Sequence, residues 1–265
     1  MSSILLIVLL LFSSEYRAQS TASKQVSTFS MDAPQLDNDK TIWVYLPESY
    51  STSQNFYPVI YMFDAQNLFD AETSYAGEWN IDEYLDTLTN KQVIIVAIEH
   101  GNTKRLEELT PYTNTEYGGG QGDLFMEFIT HTVKPHIDVN YRTKPKAEDT
   151  SIFGASLGGL MALYATIKHP DTFSKAGIFS GAFWINQDIY KLVSSSEIPK
   201  TSKFFFLVGS KESDTMVPDQ EKMISLLKEN EVPDSNINYK IVDGGEHNET
   251  LWRENFPEAF QWLMN

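Results

Sequence analysis

The chain has 265 residues, 42% hydrophobic and 13% aromatic, with no cysteine and a formal net charge of −16. That much apolar sequence supplies the core of one α/β domain, and the absence of thiols excludes disulfide staples and a thioether lipid anchor. The acidic residues are scattered rather than gathered in a tail; their field disfavours nucleic acid and anionic membrane surfaces and suits a protein outside the cytoplasm.

The first segment, "MSSILLIVLLLFSSEYRAQSTA", carries an apolar run from Ile4 to Phe12, followed by small residues at Ala18, Ser20 and Ala22. A bilayer takes about 20 apolar residues to cross, so the run is too short to span one. Residues 1–22 read as a cleaved secretory signal, which leaves no membrane span and a periplasmic or secreted protein; an uncleaved anchor is the alternative. Residues 23–40 are polar and read as a linker or N-terminal extension, with a single domain over 41–265.

Within that domain "TIWVYLP" (Thr41 to Pro47) alternates as a first antiparallel strand should. "YPVIYMFD" and "QVIIVAIE" are nearly unbroken apolar runs of strand length, the pattern of strands covered on both faces of a parallel sheet. Similar runs follow at Thr150 to Ser156, Lys175 to Ser180, Lys203 to Gly209 and Asn238 to Gly244. Helical patterns lie between them at Asp123 to Ile137, Leu157 to Pro170 and Asp219 to Asn230, and a last one runs from Glu249 to Asn265. Strands alternating with helices predict a mostly parallel, doubly wound sheet with helices on both faces.

"GASLGG" lies at one strand-to-helix junction, so Gly154 to Gly158 match G-x-S-x-G in the context that motif requires. A serine on so sharp a turn needs small neighbours, and the following helix aims its N-terminus at the place where negative charge would develop. A serine hydroxyl is a weak nucleophile without a base, and the base should follow in the chain. His131 and His136 stand five residues apart, off a common helix face and so not a metal pair. His169 ends the serine's helix, and His100 follows a strand and could line the cleft but precedes the serine. His247, in the glycine-rich "DGGEHNETLW" between the last strand and last helix, is left as the base.

The orienting acid should follow the preceding strand, where Glu212 and Asp214 are both placed to serve. The backbone N–H of Leu157, next to the serine, supplies one oxyanion donor. The loop "MFDAQNLFD" supplies the other, from Gln66 with Ala65 as alternate. This chemistry needs no metal and no cofactor.

The chain from about Thr41 onward resembles the esterase D-like putative esterase family, a branch of the α/β-hydrolases. The motifs that carry the likeness include "YPVIYMFDAQNLFD", "EWNIDEYLD", "SIFGASLGGLMALYATIKHPDTF" and "GGEHNETLWRENFPEAFQWL". The family's glycine, two residues, then glutamate after this strand matches Gly209 to Glu212, so the resemblance favours Glu212 over Asp214. Where the family often has glycine, this chain has Ala65, which bears on the donor geometry at Gln66. The likeness implies a shallow cleft with little or no lid, with Trp79, Arg105, Tyr112 and Trp184 as cleft-wall residues; Arg105 could bind a carboxylate or pair with Glu108.

Together with the leader and the serine, acid and histidine, the likeness points to an exported serine esterase acting on a small-molecule or polysaccharide ester, with the compartment placing an acylated sugar first. A siderophore trilactone, an acyltransferase reaction, and a non-catalytic binding protein on a hydrolase scaffold are the alternatives.

Overall fold

The structure, a computed structural model, describes residues 20–265. The leader expected over 1–22 lies outside the described residues except for Ser20 to Ala22. The strands are β1 (Val26–Ala33), β2 (Asn38–Tyr45), β3 (Val59–Phe63), β4 (Ile94–Ile98), β5 (Thr150–Ala155), β6 (Lys175–Phe179), β7 (Lys203–Gly209) and β8 (Ile237–Val242). The helices are α1 (Ile81–Asp86), α2 (Arg105–Glu108), α3 (Gly122–Phe128), α4 (Lys134–Asn140), α5 (Leu157–Lys168), α6 (Asp188–Ser195), α7 (Met216–Glu229) and α8 (Glu249–Leu263).

All eight strands form one sheet in the order β1-β2-β4-β3-β5-β6-β7-β8. β2 runs antiparallel to both its neighbours, and every pairing from β4 to β8 is parallel. This is the mostly parallel, doubly wound α/β-hydrolase sheet that the sequence predicts.

The period-2 geometry of a strand explains its two cores. Along β3, Val59, Tyr61 and Phe63 face a core shared with α3, α4, α5 and α7. Ile60 and Met62 face the opposite core, with α1 and α8. With both faces covered, the strands have no polar side to show, which is why the apolar runs are continuous.

Two elements differ from the sequence reading. Residues 23–40 are no simple linker: Val26–Ala33 is a strand, paired with β2 from Val26 opposite Tyr45 to Ala33 opposite Asn38. Its polar composition follows from its place at the sheet edge, where one flank is solvated. β8, at the other edge, is half-buried along most of its length rather than a covered strand. Helix α5 is buried along its length from Leu157 to Ile167, since helices as well as the sheet enclose it.

The expected helix at Asp123 to Ile137 is continuous with a π-helical turn at Ile129–Val133 between α3 and α4. Among the described residues no helix is long and apolar enough to cross a membrane.

Candidate active site

Ser156 stands between the end of β5 and the start of α5 with φ 57° and ψ −118°, a strained setting for a residue with a Cβ. Neighbouring sequence enforces it. A Cβ on Gly154 would lie 2.5 Å from the backbone of Gly158, so the strand end and first helical turn approach as they do only because Gly154 is glycine. The backbone N–H of Ser156 donates to the Phe179 carbonyl at 2.9 Å, and its own carbonyl accepts from Leu160 and Ala182. The turn is therefore tied to β6 as well as to its own helix.

His247 lies in the loop between β8 and α8, about one-third exposed, and its Nδ1 is 2.8 Å from Oε2 of Glu212, whose side chain is fully buried. A carboxylate only accepts, so this bond puts the imidazole proton on Nδ1 and leaves the Nε2 lone pair free. The other oxygen of Glu212 accepts from Ser180 Oγ and from the Gly209 backbone N–H, both at 2.6 Å. Ser180 Oγ in turn accepts from Trp252 Nε1 at 2.9 Å, and the Trp252 ring meets His247 edge to face at 5.1 Å between centroids.

Gly209 has a second part in this arrangement. A Cβ there would lie 2.3 Å from the carbonyl oxygen of Gly245, so only glycine lets the end of β7 touch the histidine loop. Asp214 is exposed and makes none of these bonds. Of the two acids left open by spacing, the structure brings Glu212 to His247.

Ser156 and His247 line one cleft of about 910 Å³, together with Asp64, Gln66, Trp79, His100, Arg105, Glu249 and Trp252 among others. Gln66 is the middle residue of a short 3-10 turn, Ala65–Asn67, which follows Asp64 at a left-handed φ of 58°. Leu157 opens α5. The first amides of a helix find no carbonyl one turn back, and neither of these N–H groups donates to another described residue. The Gln66 side chain donates to the His100 carbonyl at 3.0 Å, which ties this turn to the loop after β4.

The wall residues divide. Trp79 lines the cleft and is also packed, 5.1 Å from Phe179 and 5.8 Å from Trp252 between centroids. Arg105 lines the cleft too, but its guanidinium forks onto Asp64 at 2.7 and 2.8 Å. Its alternative partner in the sequence reading, Glu108, instead bonds Lys40 at 2.5 Å, both nearly fully buried. Burial opposes the charge on Arg105, yet the Asp64 carboxylate outweighs it and holds the guanidinium pKa above its ordinary value. At His100 the balance reverses: burial outweighs the Asp64 carboxylate and lowers that imidazole below its ordinary value.

Tyr112 and Trp184 are not cleft residues. Tyr112 packs edge to face on Tyr164 at 6.1 Å, and Trp184, 44% exposed, packs on Tyr117 at 5.7 Å. Sequence reasoning did not anticipate Asp64, Ser180 or Trp252 as partners. The available signal was position alone, since Asp64 follows β3 and Ser180 follows β6 at the carboxyl edge of the sheet, where sites in such sheets gather.

The Putative esterase family model matches residues 33–263. A Bacillus subtilis protein, YbbA, of uncharacterised function, is 29% identical over 83% of this chain and 90% of its own. An endo-1,4-beta-xylanase/feruloyl esterase from Xylanibacter ruminicola is 25% identical over 85% of this chain and 29% of its own length. Among solved structures, the BES protein of Bacillus cereus superimposes with a TM-score of 0.73 at 18% identity, over 92% of this chain and 97% of that one. The enterobactin esterase FES of Shigella flexneri gives 0.72 at 18%, over 92% and 60%. At these identities the structures show a shared fold, and the family match over nearly the whole described domain shows descent: the chain belongs to the Putative esterase family.

Proposed function

We propose that this chain hydrolyses a carboxylic ester through a serine acyl-enzyme, with Ser156 as nucleophile, His247 as general base and Glu212 as the carboxylate that orients it. Ester hydrolysis itself is supported by the family and by its feruloyl and siderophore esterase relatives. The observation that carries the finer reading is the Glu212 to His247 bond at 2.8 Å, made at the rim of the same cleft that Ser156 lines.

In this reaction His247 Nε2 takes the hydroxyl proton as Ser156 Oγ bonds to the ester carbonyl carbon. The carbonyl electron pair moves onto oxygen, where the amides of Leu157 and Gln66 would receive it; each such donor is worth about 3 kcal/mol. Collapse breaks the bond to the alcohol oxygen, which leaves with the proton from His247. A water molecule then attacks the acyl-enzyme, giving its proton to His247 and releasing the acid, and Ser156 Oγ recovers a proton.

Charge bears on the substrate. Setting the imidazoles aside, Arg105 is the one cationic side chain lining the cleft among the described residues, and its charge is already paired through Nε and Nη2 with Asp64. Glu249 adds a carboxylate to the same wall, and the chain as a whole carries −16. A multiply anionic ferric catecholate would meet no free cation there, whereas a neutral acyl or aryl ester of a sugar meets the indoles of Trp79 and Trp252. We therefore favour an acylated sugar or polysaccharide in the periplasm or outside the cell.

A fluorophosphonate probe is the direct test of the nucleophile: it should add to one peptide, the one containing Ser156, and labelling elsewhere or not at all would refute the assignment. For the substrate, kcat/KM on feruloylated and acetylated sugars should exceed that on a ferric catecholate trilactone by at least about 10²-fold, the scale on which a misplaced charge is rejected. The opposite ranking would move the proposal to siderophores.

A further inference from the structure

We infer that Glu78, Asp82 and Glu83, beside the cleft residue Trp79, form a binding site for a hard divalent cation, with Ca²⁺ the ion of best fit. One carboxylate oxygen from each residue lies within 4.8 Å of the others. Calcium binds oxygen at about 2.3–2.6 Å, so two of its ligands on opposite sides stand roughly 5 Å apart, and this spacing encloses such an ion. The carboxylates are held together at a place that water reaches poorly: Asp82 is 0% and Glu78 6% exposed, and Glu83 is half-buried.

The second observation is independent of that spacing. Glu78 Oε1, Asp82 Oδ1 and Glu83 Oε2 are buried oxygens that accept from no N–H or hydroxyl among the described residues; Asp82 and Glu83 have only each other, and Glu78 Oε1, on a residue 6% exposed, has no partner. The remaining oxygens of the two deepest groups are fixed from the other side: Thr21 Oγ1 donates to Glu78 Oε2 at 2.9 Å, and the Ser23 N–H donates to Asp82 Oδ2 at 2.7 Å. These donors orient the carboxylates without neutralising them.

No described Lys, Arg or His forms an ion pair with any of the three. The nearby Arg253 gives its Nη1 proton to the Glu78 backbone carbonyl at 2.9 Å instead. Burial raises the Glu78 carboxyl and, with Glu83 alongside, raises Asp82 to about 8, so three crowded carboxyls resist full ionisation together, and a cation bound among them would displace the proton they share.

Oxygen-only ligands exclude the softer metals that favour imidazole and thiolate, and a strict octahedron is not built here, so Ca²⁺ fits better than Mg²⁺. The local sequence makes the site: Asn80, at a left-handed φ of 54°, turns the chain so that α1 begins with Asp82 and Glu83 in its first turn. The ion would take no part in the ester chemistry. It would fasten the arm at Ser20 to Ser23 and the segment carrying Trp79 to α1.

The test uses the full chain stripped with EDTA, with Tb³⁺ and Ca²⁺ as probes. Tb³⁺ luminescence excited through tryptophan should saturate and be displaced by Ca²⁺ with an apparent Kd of about 10⁻⁵ to 10⁻³ M, and Ca²⁺ should raise Tm. Both responses should be lost in Glu83→Gln, the half-buried position least apt to disturb folding, and in Asp82→Asn. Ser156→Ala should respond as wild type does, which separates this site from the catalytic reading. The inference is overturned if about 10 mM Ca²⁺ leaves Tm unchanged, if matched ionic strength of KCl reproduces the shift, or if Glu83→Gln binds as wild type does.

Discussion

Replacing Ser156 by alanine is expected to lower kcat on an activated p-nitrophenyl ester by about 10⁵-fold or more, with Tm within a degree or two of wild type. The two effects separate for a physical reason. Alanine also carries a Cβ, so the strain at φ 57° and the contacts of Gly154 with Gly158 are the same in both proteins. What disappears is the oxygen proposed to bond to the carbonyl carbon, which alanine cannot replace. Residual turnover above about one-tenth of wild type would show that a different nucleophile operates, since removal of a true one costs orders of magnitude more. Steady-state kinetics beside a thermal melt decide it.

The second large effect is expected at Glu212. Glu212→Gln should cost about 10³ to 10⁴-fold in kcat, and Asp214→Asn should leave it within about twofold of wild type. The wild-type carboxylate accepts three bonds, from His247, Ser180 and Gly209. An amide has one accepting oxygen, and its nitrogen must face one of these donors. If it faces His247, the imidazole is driven to the wrong tautomer and its lone pair points away from the serine. If it faces Ser180 and Gly209, a buried backbone N–H loses its partner at a further cost of about 1–3 kcal/mol of stability. Asp214 is exposed and outside this network, so a larger loss there than at Glu212 would transfer the orienting role to it.

Much of this site was legible before any coordinates. The serine could be named because its motif sits at a strand-to-helix junction, and hydrophobic runs mark such junctions well. His247 could be named because a base must follow the serine and the other four histidines each had another explanation. Glu212 could be paired with Asp214 from position alone, and chosen over it by the family likeness. These inferences all use order along the chain, which the α/β plan converts directly into place at the carboxyl edge of the sheet.

Inference from the chain weakened where a residue's role depends on what lies across space from it. Arg105 reads as free to meet a carboxylate or to pair with Glu108, three residues away; the fold gives it Asp64, 41 positions distant, and gives Glu108 to Lys40. Trp184 and Tyr112 follow loops in a way that suits a cleft wall, and both turn to pack on tyrosines elsewhere. Residues 23–40 look like a linker because an edge strand needs few apolar side chains, and the pairing that makes Val26–Ala33 a strand belongs to β2.

The amino-acid sequence therefore determined the architecture, the strand order's parallel character and the serine and histidine of the candidate site, because period-2 runs, glycine turns and chain order are local properties. Only the tertiary structure decided that Ser180 and Trp252 stand behind the bond between Glu212 and His247, and that Glu78, Asp82 and Glu83 share one buried place without an ion-pair partner among the described residues. Those are matters of distance between segments far apart in the chain, and the packing of the two cores sets such distances.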